Sequence, residues 1–181
     1  EYRMGSESRA NKPITIKATI EILRRLRLRA EEESETNPHL SNYYYRVGAM
    51  IAVLTSGSLR GNEGFYLSLA GLRKHLHLGR DGIIPAGYNL HHIFSEEDAM
   101  RLPHVVLSLL GDFKGENGSD YHLLNIANVT TSGIKVRWWV EKLVAVCERE
   151  GRVKGAAFAG PDGILESALD YDATFRGIAK E

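Results

Sequence analysis

Apolar residues recur at helical spacing over much of the chain. The first stripe, entered through Pro13, consists of Ile16, Ile20, Leu23 and Leu26, spaced as on one face of an amphipathic helix. Similar patterns predict further helices over 40–54, 59–69, 131–150 and 165–179. Gly71 is expected to end the helix over 59–69, and Thr131 or Ser132 to cap the helix that ends at Gly151.

One part of the chain shows a β pattern instead. Residues 104–110 are apolar and partly β-branched, 115–118 read Gly-Glu-Asn-Gly, and 121–126 form a second, largely apolar run. This order predicts an antiparallel hairpin, whereas 71–103 are expected to be mostly loop or short strand. Helices on both sides of one hairpin predict a mostly helical α+β domain with a small antiparallel sheet packed among helices.

Some of the clustered aromatic residues and the single cysteine are expected to lie in the core. At least one ring of Tyr43, Tyr44 and Tyr45 is predicted to be buried, since the three point in different directions around a helix. Trp138 and Trp139 point about 100° apart on their helix, so one is expected in the core and one at the surface. Cys147 lies on the apolar side of the same helix and is interpreted as a core thiol.

Composition narrows the class of protein. The 181 residues hold 23 Lys and Arg against 23 Asp and Glu, so the net charge is zero and only a local basic surface could hold a polyanion. One cysteine excludes an internal disulfide and favours a reducing compartment, so we expect an intracellular protein without membrane contact, nuclear if the source is eukaryotic. Residues 1–12 are interpreted as a tail or linker and 13–181 as one domain, expected to be a piece of a longer chain.

Two short motifs could act on a phosphate. Arg60 and Glu63 lie one helical turn apart after a Gly-Ser break, so the carboxylate could orient the guanidinium toward a phosphate. Lys114 lies in the hairpin turn, where an ammonium could enter a groove or act as a general acid, and His122 on the return strand could line the same site. Each residue also has a simpler interpretation. Arg60 and Glu63 could form only a surface ion pair, Lys114 could only keep the turn soluble, and His122 could be an ordinary strand histidine.

Other polar clusters are weaker candidates. The polar side of the first helix carries several cations (Lys17, Arg24, Arg25, Arg27 and Arg29), followed at once by glutamates; it is either a solvated helix end or a basic face for phosphates. Arg73 and Lys74 belong to a second basic stretch that could touch phosphate, although a solvated loop is the simpler interpretation. His91 and His92, with acids nearby, leave a metal-dependent nuclease as a third hypothesis.

The order of the first two motifs resembles the catalytic domain of tyrosine recombinases, the phage-integrase-like enzymes that break and rejoin DNA. Residues 55–63 (Thr-Ser-Gly-Ser-Leu-Arg-Gly-Asn-Glu) are similar to that family's first arginine box, and Lys114 is similar to its hairpin lysine. The nearest similarity is to the divergent recombinases of eukaryotic mobile elements.

The resemblance implies roles for these residues. Arg60 would bind the scissile phosphate, Glu63 would orient Arg60, and Lys114 would help to protonate the leaving oxygen. It also implies DNA as partner, a possible homo-oligomer on DNA, and no metal or nucleotide cofactor. DNA contacts are then expected from Arg60, Lys114, Arg73, Lys74 and His122.

The second half of the family pattern is missing from these 181 residues. No His-x-x-Arg follows the hairpin, since Asn125 stands three residues after His122. Tyr171 lies between two aspartates, a poor setting for a nucleophile that must approach a phosphate. The sequence therefore predicts either a recombinase domain that stops before its second box, inactive by itself, or a non-catalytic DNA-binding or protein-interaction module on the same fold.

Overall fold

The computed structural model describes residues 14–59, 64–77, 104–110, 121–164 and 177–178. Helix α1 (Ile16–Glu32) begins where the hydroxyl of Thr15 accepts a hydrogen bond from the amide of Ala18 at 3.2 Å. Helix α2 (Pro38–Gly57) begins after Asn37, whose side chain accepts from the amide of Leu40 at 3.3 Å. Both predicted helices are therefore present, and α2 is longer than its apolar pattern indicated.

Helix α3 (Leu69–His77) corrects the prediction for this region. Residues 67–68 make β-bridges, so the predicted helix does not continue to 69, and Gly71 lies inside α3 instead of ending a helix. The hydroxyl of Ser68 accepts from the amide of Gly71 at 3.2 Å, and a Cβ on Gly71 would lie 2.5 Å from Cβ of Ser108. Glycine is needed here because α3 approaches the sheet closely.

The predicted hairpin is confirmed. Strands β1 (His104–Leu110) and β2 (Tyr121–Ala127) pair antiparallel, with His104 opposite Ala127 and Leu110 opposite Tyr121. The other edge of β1 is covered by the chain before α3, where Leu67 pairs with Leu109 and the amide of Ser68 donates to the carbonyl of Ser108 at 2.8 Å.

Helix α4 (Val136–Arg149) starts later than the sequence predicted. Thr131 and Ser132 do not cap it, because this segment forms a turn: the hydroxyl of Thr130 accepts from the amide of Ile134 at 3.0 Å, and Gly133 has φ 91°. The local hydrogen bonds of the turn compete with an earlier helix start.

The core lies where α2 packs against both α1 and α4, and where α2, α3 and α4 pack against the sheet. Its fully buried side chains include Leu26, Val53, Leu69, Leu107, Leu143 and Phe158. Tyr45, Trp139 and Cys147 are buried and Trp138 is half-buried, as the sequence predicted.

The described residues thus form four helices and a two-stranded antiparallel sheet packed against them, which confirms the fold class. None of these helices has the length and apolarity needed to cross a bilayer.

Candidate functional site

The three candidate catalytic residues, Arg60, Glu63 and Lys114, lie outside the described residues, but their anchors are described. Leu59 donates its amide to the carbonyl of Leu54 at 3.1 Å. On the other side of the first motif, a Cβ on Gly64 would lie 2.7 Å from Cδ2 of Leu54. The first motif is therefore attached at both ends to the last turns of α2.

Strand β2 packs against the end of α2, and strand β1 pairs with the segment that follows the first motif. A Cβ on Gly57, at the end of α2, would lie 2.9 Å from Cδ1 of Ile126 in β2. Leu67, four residues after Glu63, pairs with Leu109, five residues before Lys114. The segment after the first motif is thus tied to the strand end from which the hairpin turn leaves, whereas the end of α2 contacts β2 near its other end.

The three remaining predicted DNA contacts are distributed over two elements. Arg73 lies on α3, and its Nε donates to Oε1 of Glu148 at 3.0 Å, so the basic stretch is helical and this cation has a carboxylate partner. Lys74 also lies on α3, and His122 lies on β2 opposite Leu109; their side chains are outside the described part. The structure does not bring these three together into one described site.

A cationic surface that the sequence analysis recognised only in part lies between α1 and α4. The guanidinium of Arg27 lies 5.0 Å from the centre of the Trp138 ring, and Nζ of Lys142 lies 5.4 Å from the same ring. Lys142 is also 5.6 Å from the ring of Tyr45, which packs 6.2 Å from Trp138. We call Arg24, Arg27, Lys135, Trp138 and Lys142 the tryptophan face. It places cations from two helices around one indole.

Two cavities lie on either side of this aromatic contact. The smaller, of about 190 Å³, is lined by Arg24, Arg27, Lys135 and Trp138 together with apolar residues of α1 and the turn before α4. The larger, of about 460 Å³, lies between the start of α2 and the end of α4 and is lined by Tyr45, Lys142, Arg149 and Asn42 among others. Burial raises the pKa of Tyr45, so its phenol is neutral at neutral pH.

The signal for this surface was present in the sequence. Lys135, Lys142 and Arg149 stand seven residues apart, which places them on nearly the same side of a helix. Trp138 falls between the first two, at positions i+3 and i−4. The cations of α1 were recognisable as a possible phosphate surface, but this second series was missed, because α4 was interpreted only through its apolar side.

A second group of charges near the end of α4 is buried. Nη2 of Arg46 lies 2.8 Å and 2.7 Å from the two carboxylate oxygens of Glu150, and the two side chains are 2% and 6% exposed. Arg152 donates to the carbonyls of Ala156 and Ala159. We call Arg46, Glu150 and Arg152 the buried network; its geometry fixes α2, α4 and the following loop to one another.

The remaining candidate chemistry finds no support in the described residues. Cys147 is buried, and burial raises the pKa of its thiol, which agrees with a core role and not with a nucleophile. No group of three metal-ligating side chains occurs within the described ranges. His91 and His92, on which the metal-nuclease hypothesis rests, lie outside those ranges.

Comparison with known proteins adds no identity. No family model, no curated protein and no solved structure matches this chain significantly.

Proposed function

We propose that the chain is part of a DNA breaking and rejoining domain of the tyrosine recombinase type. The observation that carries this proposal is the bridge between Leu67 and Leu109, which ties the segment after Arg60 and Glu63 to the strand that leads to Lys114. A site assembled from these two motifs needs both at one end of the sheet.

In this proposal the cations act on a phosphate that gains negative charge in the transition state. Arg60, oriented by Glu63, stabilises that charge, and Lys114 gives a proton to the leaving oxygen. The 181 residues contain no His-x-x-Arg after the hairpin and no tyrosine in a suitable setting there. We therefore expect this chain by itself to bind DNA without cleaving it.

The first experiment is to read the coding sequence past Glu181 and to assay the protein it encodes. The proposal predicts a His-x-x-Arg motif and a later tyrosine, and a covalent protein–DNA adduct with a suicide substrate. Arg60→Ala should abolish the adduct, while Lys154→Ala, an exposed lysine on the loop after α4, should leave it intact. Adduct formation that survives Arg60→Ala would exclude the proposed role of the first motif.

Lys114 has a separate test in the same protein. Lys114→Ala should slow cleavage, and a substrate with a better leaving group should restore much of the rate, because a general acid is needed less when the leaving group is stable. A rate that the better leaving group does not restore would assign Lys114 to DNA binding or to the turn.

The alternative is a DNA-binding module that does not cut. The tryptophan face favours it, because an exposed arginine and a partly buried lysine held at one aromatic ring need no catalytic residue to bind DNA. A coding sequence that ends at Glu181, with DNA binding but no adduct, would select this alternative. Absence of any DNA binding would exclude both functions.

A further inference from the structure

The cations of the tryptophan face are expected to contribute less to the stability of the fold than the buried network does. Arg27 donates from Nε to Glu31 at 2.8 Å and is about half exposed, and Nζ of Lys142 lies over the rings of Trp138 and Tyr45. Surface pairs of this kind add little to stability. Their shared feature is position: two helices each bring one cation to the same indole.

We propose that the tryptophan face binds the phosphodiester backbone of duplex DNA. Arg27 and Lys142 would contact neighbouring phosphates, with Trp138 as the positioning residue between them, and Arg24 and Lys135 would extend the contact along the smaller cavity. The inference rests on the proposed DNA-binding function and holds with or without DNA cleavage, since it concerns binding alone.

Local charge is the first argument, because it differs from the charge of the whole chain. Residues 21–31 of α1 and 135–142 at the start of α4 hold seven Lys and Arg against three Glu, although the chain as a whole is neutral. The three acids are Glu21, Glu31 and Glu141, each paired with an arginine of its own helix. The excess is positive and lies on adjacent helices, which suits a polyanion.

Spacing is the second argument. Lys142 and Arg149 lie on nearly one side of α4, and Lys135 stands directly before its first residue; at 1.5 Å per residue the three span about 21 Å. One DNA strand carries a charge about every 3.4 Å of axis, so this length matches about six phosphates. The larger cavity, which Lys142 and Arg149 both line, continues the surface beyond Trp138.

The environment of the indole favours the backbone over the bases. Arg27 and Lys142 both lie within 5.4 Å of the centre of the Trp138 ring, so cations already occupy the positions that a stacked base would need. Contacts of cations with phosphates carry no sequence information. We therefore expect binding to depend strongly on salt and weakly on sequence.

The test is fluorescence anisotropy of a labelled 20-bp duplex with the 181-residue chain between about 50 and 200 mM salt. The double variant Arg27→Gln/Lys142→Gln should bind at least tenfold more weakly at the low salt concentration. The slope of log K against log salt should fall by about two, one unit for each lost phosphate contact. Circular dichroism at the same concentrations shows whether the variant is folded.

A matched variant, Arg9→Gln/Lys154→Gln, removes the same charge from the segment before α1 and from the loop after α4. It should bind within threefold of the wild type. Trp138→Phe should keep most of the affinity and Trp138→Ala should lose part of it, with the slope retained in both, because the two cations remain but are held less firmly.

The outcomes separate the two proposals. If the wild type binds DNA and Arg27→Gln/Lys142→Gln binds equally well, the tryptophan face is excluded while the DNA-binding function stands. Greater loss in Arg9→Gln/Lys154→Gln than in Arg27→Gln/Lys142→Gln would place the main DNA contacts away from the tryptophan face and overturn the inference. If the wild type binds no DNA at any salt concentration, the inference and the proposed function both fail.

Discussion

The buried network and the tryptophan face both lie beside α4, but their cations differ in burial and in the groups that they contact. In the buried network, Arg46 faces the carboxylate of Glu150 and Arg152 faces backbone carbonyls, so these guanidiniums are committed to partners inside the protein. On the tryptophan face, Arg27 shares a half-exposed ion pair with Glu31 and lies against the Trp138 ring, and Lys142 lies over the same ring; near solvent these cations can still take a phosphate. Burial, more than the presence of a carboxylate partner or the number of charges, separates a structural arginine from a candidate ligand-binding one.

The largest expected effect of a substitution is in the buried network. Arg46→Met should lower the free energy of unfolding by about 3–5 kcal/mol, because it leaves the carboxylate of Glu150 buried without its main partner. Urea denaturation followed by circular dichroism measures this loss. The double variant Arg46→Met/Glu150→Leu should recover most of it, since no buried charge then remains. A single variant as stable as the wild type would show that the network is not structural.

The next effect concerns the packing of α2 against α4, the helix that both groups share. A Cβ on Gly48 would lie 2.2 Å from Cζ3 of Trp139, so Gly48→Ala should destabilise the protein by about 1–3 kcal/mol although alanine favours helices. Thermal denaturation is the measurement. Gly177→Ala is the control: a Cβ there would meet nothing within 4 Å, and its stability should be unchanged or slightly higher. Equal behaviour of the two variants would contradict the close contact.

Removing a cation from the tryptophan face should affect stability much less. Arg27→Gln should change the free energy of unfolding by less than about 1 kcal/mol, because a half-exposed guanidinium gains little from an aromatic ring or from Glu31. The same urea titration used for Arg46→Met gives a direct comparison. A loss as large as that of Arg46→Met would mean that Arg27 belongs to the fold and not to a binding surface.

The smallest expected effect is a pH dependence at α1. Hydrogen bonds from Arg24 and Arg25 lower the pKa of Glu21 from 4.5 to about 2. Because the folded-state pKa is the lower one, this carboxylate stabilises α1 above pH 4.5, and the stabilisation is lost as the pH falls toward 2. Glu21→Gln should flatten the dependence of stability on pH in that range, measured by thermal denaturation. An unchanged pH dependence in Glu21→Gln would contradict this role of the two arginines.

The sequence predicted those elements whose pattern is continuous. The strands at 104–110 and 121–126 were recognisable because apolar and β-branched residues run without interruption on both sides of a turn motif. The helix that contains Gly71 was missed because glycine usually ends a helix, whereas here it allows α3 to approach Ser108. The start of α4 was placed too early because the Thr130 hydroxyl builds a turn instead of a cap.

The sequence could predict candidate residues within single motifs, but not which residues from distant parts of the chain come together. The arginines of α1 were recognised as a possible phosphate surface, but their position beside Trp138 and Lys142 depends on how α1 packs near α4. The same limit applies to Arg46 and Glu150, which are 104 residues apart in sequence. Pairs formed by tertiary packing leave no local pattern to read.

The most direct measurement uses the two tryptophans as probe and internal control. Trp138 lies on the tryptophan face and is half-buried, while its neighbour Trp139 is 4% exposed in the core. We would record the indole N–H signals in a ¹H–¹⁵N NMR spectrum during titration with duplex DNA, assigning them with Trp138→Phe. The Trp138 signal should shift several times further than the Trp139 signal. An unmoved Trp138 signal at saturating DNA would contradict binding at this face.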